Sequence, residues 1–131
     1  MMRTYSNLDS TTEEYMTELV DCGFVIHRDV GPGFMEPVYS NAMSVELRAR
    51  EIPFERERTV NVVYRGETVG IHRLDFVVRG CIVLELKAVK ALEPVHQAQL
   101  MAYMKASGIR VGILMNFCGA TYKEGTKRVV L

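Results

Sequence analysis

The stretch from Leu74 to Lys87 constrains the fold more than any other part of the chain. Apolar and largely β-branched runs flank Arg79-Gly80, a dipeptide typical of tight turns, so the stretch predicts a buried β-hairpin. Side chains of the second strand alternate between faces with a period of two, which places Glu85 and Lys87 on the same face. A carboxylate and an ammonium group therefore lie side by side within an apolar element.

Whether Asp75 joins this face depends on the length of the hairpin loop. A two-residue loop sends Asp75 to the face away from Glu85. A three-residue loop over residues 78–80, with its glycine in the left-handed conformation, places Asp75 on the Glu85 face and on its diagonal. We predict this odd loop, which pairs Val77 with Cys81 and separates the two acidic backbones by roughly 7 to 8 Å.

Two carboxylates that converge in a half-buried place repel each other, and each is driven towards protonation unless a cation lies between them. Hard oxygen ligands favour Mg²⁺ or Mn²⁺, which keep several waters and accept a phosphate oxygen. Lys87 then lies where it can act on a bound water or on developing negative charge. A simpler interpretation treats Glu85 and Lys87 as a solvated pair and Asp75 as a turn cap, and the three residues alone favour neither.

Length and composition set the frame for these residues. The 131 residues predict one domain over 1–131, with a loose leader over 1–10. Sixteen basic and sixteen acidic residues cancel, so no global charge attracts nucleic acid or an anionic membrane. The widely spaced Cys22, Cys81 and Cys118 indicate free thiols in a reducing compartment. No apolar run has membrane-spanning length, so we expect a soluble, cytoplasmic chain without a membrane partner.

Capping residues, prolines and glycines divide the chain into elements in the order α-α-β-β-β-α-β-β. This order predicts a single-domain α/β (α+β) fold, with a central mixed sheet of about four to five strands flanked by helices. The expected helices run from Ser10 to about Asp29, from Pro37 to about Arg50, and from Pro94 to Gly108. The expected strands cover Phe54–Tyr64, Thr68–Val78, Cys81–Lys87, Ile109–Phe117 and Thr126–Leu131.

Two helices carry further candidate residues. Glu36 and Tyr39 are three positions apart and share a face at the start of the second helix, where free backbone N–H groups alone would stabilise a carboxylate. In the third helix, His96, Gln99 and Tyr103 form a polar stripe that faces either water or a site. If it faces a site, the glutamine and the tyrosine reach the charged end of the hairpin.

The segment Gly33-Phe34-Met35-Glu36-Pro37-Val38-Tyr39 resembles the signature of the GxxExxY protein family. Asp75, the Glu85-Leu86-Lys87 tripeptide and the Gln99-x-x-x-Tyr103 pattern fall where that family has its other motifs. The family is similar to a compact branch of the PD-(D/E)XK nuclease superfamily. The resemblance covers the chain from about Glu13 to Leu131 and implies a restriction-endonuclease-like core.

The resemblance implies a metal site as well as a fold. Asp75 and Glu85 would bind the divalent ion, with the backbone carbonyl of Leu86 as a further ligand. Glu36 would assist the metal directly or through a water. The chain departs from the superfamily pattern at Leu74, which stands where the proline of the name is found, at a position that tolerates change.

The resemblance also implies roles for the remaining polar residues. Lys87 would act on the attacking water or the scissile phosphate. Gln99 and Tyr103 would orient this lysine or contact the nucleic-acid backbone.

The function that follows is hydrolysis of phosphodiester bonds in DNA, or secondarily RNA, by a water activated by Mg²⁺ or Mn²⁺. A chain this small would need a homodimer or a protein partner to gain contact surface. The alternative is a non-enzymatic module that keeps the nuclease fold and uses the same face to bind nucleic acid or protein, because fold alone does not establish turnover.

Overall fold

The computed structural model describes residues 8–131, and the elements follow the predicted order. Most of the expected leader lies outside the described residues, although Leu8 packs on the core and Asp9 begins the first helix. The helices are α1 (Ser10–Val30), α2 (Glu36–Ala49) and α3 (Pro94–Ser107). The strands are β1 (Phe54–Tyr64), β2 (Glu67–Val78), β3 (Ile82–Lys87), β4 (Val111–Asn116) and β5 (Thr126–Val130).

The helix ends follow the predicted signals with two corrections. Helix α1 begins at Ser10 as expected, but its N-cap is Asp9, one residue before the predicted run of capping residues, and the Asp9 carboxylate accepts a hydrogen bond from the N–H of Thr12. Met35 is the N-cap of α2, and Glu36 already belongs to the helix. The prediction for α3 is confirmed, because Pro94 lies in its first turn and Gly108 ends it with φ 75°.

The five strands form one sheet in the order β1-β2-β3-β4-β5. Neighbouring strands are antiparallel, except that β3 and β4 are parallel and are connected through α3. A core between the sheet and α1 and α2 includes Met16, Tyr39, Phe76, Leu84 and Phe117. A second core lies under α3 on the opposite face and includes Val83, Leu100, Met104 and Leu114. The mixed sheet with helices on both faces confirms the predicted architecture.

The predicted parity of the β2–β3 loop is confirmed, but its position is wrong by one residue. Val78 pairs with Ile82, so the loop contains residues 79–81 in place of 78–80. Both Arg79 and Gly80 have positive φ angles, of 54° and 69°, and the N–H of Cys81 donates to the carbonyl of Val78 at 3.1 Å. The loop is therefore a tight turn from Val78 to Cys81, with Cys81 as one extra residue before β3, in place of the predicted loop over residues 78–80.

The long β1–β2 hairpin is irregular at Glu57 and Asp75, which fall between the paired positions Arg56–Phe76 and Arg58–Leu74. Phe76 packs on the side of α1 and α2, whereas Leu74, two positions earlier, packs with Val60 under α3. Strict alternation would place Leu74 and Phe76 on the same side. Glu57 adopts φ 58°, a left-handed conformation that costs a non-glycine residue about 1–3 kcal/mol. Asp75 therefore lies at a kink, beyond which the part of the hairpin near the β1–β2 turn packs under α3.

All three cysteines are free thiols, as predicted. Cys22 lies in the core, and burial is the main reason that its pKa rises to about 11. Cys81 and Cys118 are half-buried against the same core. Among residues 8–131, none of the helices is both long enough and apolar enough to cross a lipid bilayer.

Candidate active site

The candidate site lies where β2 and β3 separate. The two strands pair only from Val78–Ile82 to Phe76–Leu84, and continuing this register brings Asp75 opposite Glu85 instead of onto its diagonal. The N–H of Asp75 donates to Oε1 of Glu85 at 3.0 Å, and the N–H of Leu86 donates to Oδ2 of Asp75 at 2.9 Å. Each carboxylate therefore binds a backbone N–H of the opposite strand.

Burial gives these two carboxyls unusual electrostatics. Glu85 is only 5% exposed, and its desolvation, reinforced by the nearby charge of Asp75, raises its pKa to about 8. Desolvation also raises the pKa of Asp75, although the hydrogen bond from Leu86 and the charge of Lys87 oppose the rise. Without a cation, the pair therefore holds a proton more tightly than isolated carboxyls do.

Glu36 approaches this pair from the first turn of α2. Desolvation raises its pKa most, the charge of Asp75 adds to the rise, and the charge of Lys87 opposes it. The three acids identified from the sequence thus share one electrostatic environment, although among residues 8–131 no hydrogen bond joins Glu36 to the pair.

The donor set fits a hard divalent cation, since two neighbouring, desolvated carboxylates offer the oxygen ligands that such an ion prefers. Within residues 8–131, no three side chains of His, Cys, Asp or Glu converge closely enough to form a complete metal cluster. Asp75 and Glu85 could hold the ion, with other oxygen donors or waters completing its shell.

Lys87 extends from the end of β3 next to the acidic pair. Its Nζ donates to Oε1 of Gln99 on α3 at 3.4 Å, so the polar stripe of this helix does reach the charged end of the hairpin. Tyr103 lies one helical turn further on, and its pKa is raised by burial first and then by the charges of Glu85 and Asp75.

One histidine of this stripe, His96, and one histidine beside it, His72, have different environments. The ring of His72 lies 5.0 Å from that of Tyr103, at the edge of the site. His96 instead accepts a hydrogen bond from the N–H of Glu93 through Nδ1 and completes the capping box of α3. The predicted stripe is therefore divided between the site and the helix end.

Tyr39 explains how the glycine-containing loop before α2 positions Glu36. Its hydroxyl donates to the carbonyl of Gly31 at 2.8 Å and accepts from the N–H of Phe34 at 3.1 Å. The ring is fully buried and stacks on Phe117 with a centroid distance of 4.8 Å. Tyr39 therefore fixes the loop that enters α2 from beneath, while Glu36 faces the site.

Sequence reasoning missed Asn116, a 1% exposed residue at the end of β4. Its side chain donates to the carbonyl of Val89 and accepts from its N–H, both at 2.9 Å, and it pairs with Lys87 in the parallel ladder. It thereby holds the segment that follows Lys87. The available signal was a single amide within an otherwise apolar strand.

Sequence reasoning also assigned no role to Arg56, which lines a cavity together with Asp75. Nothing in its local sequence distinguishes it from Arg58, because the difference arises from contacts with α2 and β2.

Fold and site together define a class of nuclease-like domains, and comparison with known families identifies it. A profile of the PD-(D/E)XK nuclease superfamily matches residues 13–129, a range that begins in the first turn of α1 and ends within β5. The chain therefore belongs to the PD-(D/E)XK nuclease superfamily. No functionally curated protein matches it.

A solved structure has a similar fold. The structure titled "Crystal structure of SSO0001" superposes with a TM-score of 0.53 and 17% sequence identity. The match covers 72% of this chain and 48% of the other, so the chain spans about half the length of that relative. At this level of identity the likeness concerns the fold alone.

Proposed function

We propose that the chain is a metal-dependent nuclease of the GxxExxY group that hydrolyses phosphodiester bonds, with DNA as the first substrate to test and RNA as the second. The main support is the pair of desolvated acids, Asp75 and Glu85, set between separating strands with Lys87 beside them. Structural reasons alone rarely bring two buried carboxylates this close, because each raises the cost of ionising the other.

In this proposal, Asp75 and Glu85 hold Mg²⁺ or Mn²⁺, assisted by the carbonyl of Leu86 and by Glu36, directly or through a water. A divalent ion supplies a water of lowered pKa and neutralises charge on the scissile phosphate. The backbone N–H groups of Asp75 and Leu86 fix the orientation of the two carboxylates before any ligand arrives.

Lys87 donates to the scissile phosphate or to the attacking water, and it stabilises the negative charge that develops in the transition state. Gln99 accepts a hydrogen bond from Nζ and keeps the ammonium group directed towards the acidic pair. Tyr103 stays protonated because its pKa is raised, so its hydroxyl serves as a hydrogen-bond donor to the nucleic-acid backbone.

The cellular setting extends the same proposal. We place the activity in the cytoplasm, in a single domain that covers residues 1–131. A second copy of the chain or a protein partner would add contact surface for nucleic acid. Size-exclusion chromatography with light scattering, with and without DNA, measures whether the chain forms a homodimer.

The central experiment is a cleavage assay on single-stranded, duplex and branched DNA with Mn²⁺ or Mg²⁺. We expect Lys87→Ala to lower the cleavage rate by roughly 10²- to 10³-fold, the usual effect of removing one transition-state donor. Lys90→Ala is the matched control, because Lys90 is an exposed lysine three residues further along the chain. Its cleavage rate should remain that of the wild type.

Equal rates for wild type and Lys87→Ala would assign any cleavage to a contaminant. Calcium supplies an independent measurement, since it should bind the acidic pair and raise the melting temperature without supporting cleavage. Binding of DNA without metal affinity or cleavage would instead identify a non-enzymatic binding module.

A further inference from the structure

A cavity of about 300 Å³ lies beside the acidic pair, between the start of α2 and the kink in the β1–β2 hairpin. Its polar lining comes from Glu36, Ser40, Arg56, Glu57, Arg73 and Asp75. The cavity therefore joins two of the three acids of the proposed site to two guanidinium groups that the proposed chemistry does not use.

Arg56 is held in place without being neutralised. Its Nη2 donates to Oδ1 of Asn41 on α2 at 2.7 Å, and its guanidinium carbon lies 5.6 Å from the centroid of the Phe76 ring. Both partners are uncharged, and no described carboxylate forms an ion pair with it. Its positive charge is nevertheless felt at Asp75, where it is among the influences that oppose the burial-driven rise in pKa.

Arg73 on the opposite strand is different. Its Nη1 lies 3.0 Å from Oε1 of Glu57, and both side chains are largely exposed. Its charge is therefore shared with a carboxylate, and an exposed pair of this kind is worth little and rearranges easily. Arg56 is the stronger candidate for binding an anion, with Arg73 as a second cation at the same cavity.

We propose that Arg56 binds a phosphate of the substrate strand next to the scissile one. An oriented guanidinium without a carboxylate partner matches the geometry of a phosphate group and can donate two parallel hydrogen bonds to it. The substrate class is then a nucleic-acid strand with consecutive phosphates, and an isolated phosphodiester lacks the second group. This inference rests on the proposed nuclease function, whose scissile phosphate lies at the neighbouring acids.

The test compares two substrates in the presence of Mn²⁺, a single-stranded oligonucleotide and bis(p-nitrophenyl) phosphate, which has only one phosphate. Arg56→Ala should lower the kcat/KM for the oligonucleotide roughly 10- to 100-fold, as expected for a lost charge-assisted hydrogen bond. It should lower hydrolysis of the small diester much less, because that substrate has no second phosphate for Arg56 to bind. Arg56→Lys should recover part of the loss, because charge returns without the planar fork.

Arg58→Ala is the matched control. Arg58 lies two residues along the same strand, pairs with Glu55 at 3.7 Å and does not line the cavity. This variant should behave as the wild type on both substrates. An equal loss of both activities in Arg56→Ala would show that Arg56 acts on the acidic pair instead, and no loss on either substrate would show that it binds no phosphate. Either result overturns the inference.

Binding separates this inference from the nuclease proposal. With Ca²⁺ in place of Mn²⁺, the affinity of the oligonucleotide is measured as a function of salt concentration. Arg56→Ala should reduce the slope of log K against log salt by about 0.7, the value for one phosphate contact with a single strand. If the wild type cleaves nothing but the slope still falls in Arg56→Ala, the phosphate site stands and the hydrolysis proposal fails. An unchanged slope overturns the site even if cleavage is observed.

Discussion

The two ends of the β2–β3 hairpin use the same two strands in opposite ways. At the turn, Val77 and Val78 pair through the backbone with Val83 and Ile82, and all four side chains are buried. At the other end the strands separate, and carboxylates replace carbonyls as acceptors for the backbone N–H groups of the opposite strand. The first end is a packed core, and the second is a desolvated polar gap.

The difference shows how one element provides both stability and a site. Apolar burial at the turn end stabilises the hairpin by roughly 1.5–3 kcal/mol for each large side chain. This anchors the strands, so that they can hold two acids in a position that is unfavourable by itself. A substitution at the turn end should therefore lower stability more than activity. A substitution at the separated end should lower activity more than stability.

The largest expected effect is on catalysis at the separated end. Glu85→Gln should lower DNA cleavage by roughly 10²- to 10⁴-fold, because a neutral amide is a poor ligand for a hard cation and the ion contributes several kcal/mol to the transition state. The same variant should keep its fold. Cleavage rates and far-UV circular dichroism check both statements, and retention of full activity would remove Glu85 from the site.

Leu84, one position before Glu85, should show the opposite pattern. It is fully buried in the core under α1 and α2, so Leu84→Ala should lower the free energy of unfolding by about 2–5 kcal/mol. Cleavage per folded molecule should change little. Urea unfolding measures the loss, and Val63→Ala on the exposed part of β1 is a control expected to stay within about 0.5 kcal/mol.

The pH dependence of the free energy of unfolding should reflect the raised pKa of Glu85 at the separated end. Glu85 has a pKa of about 8 when folded, against 4.5 in the reference state, so the folded chain binds more protons than the unfolded chain between these values. The free energy of unfolding should therefore decrease as pH rises from 4.5 through about 8 in EDTA. Urea unfolding across this range measures it, and Glu85→Gln should flatten the curve. A wild-type curve that rises with pH would contradict the desolvation of this pair.

Asn116 tests whether the position of Lys87 at the separated end depends on hydrogen bonds from the neighbouring strand β4. Asn116→Ala removes the hydrogen bonds to Val89 and to the N–H of Cys118, which should lower the free energy of unfolding by about 1–3 kcal/mol. Cleavage should also decrease, because the segment after Lys87 loses its anchor. Asn61→Ala, at an exposed asparagine of β1, is the control for both measurements.

The smallest expected effect concerns the kink opposite Asp75. Glu57→Gly should raise the free energy of unfolding by less than about 1 kcal/mol, because glycine tolerates the φ of 58° while losing more entropy on folding. Glu55→Gly, two residues earlier at an ordinary strand position, should destabilise by about 0.5–1 kcal/mol. Effects of the same sign at both positions would show that the kink stores no strain.

Most of the fold could be predicted from local patterns. Alternation gave the bounds of β1, and the prolines and glycines around α3 gave both of its ends. The register of the β2–β3 hairpin was missed because the sequence identifies a turn at Arg79-Gly80 but does not show that Cys81 becomes an extra residue. Likewise, Asp9 and Ser10 are both good capping residues, and only the structure shows which one the helix uses.

The candidate site could be predicted only where motifs mark it. Asp75 and Glu85 were identified because charge inside an apolar hairpin is conspicuous. Asn116 and Arg56 are positioned by contacts with residues distant along the chain, Val89 and Asn41 respectively. No local sequence pattern predicts these contacts. The left-handed Glu57 could not be anticipated either, since nothing in the sequence requires that conformation.

Asp75 and Glu85 belong to one hairpin and are only ten positions apart, whereas Glu36 lies 39 positions before Asp75. The entropy lost on closing a loop grows with the logarithm of its length, so the hairpin alone brings its two acids together with a short closure. Insertions and deletions in the surrounding helices can therefore accumulate during evolution without separating them. We expect the acidic pair to be inherited as one unit and the helical acid to vary independently.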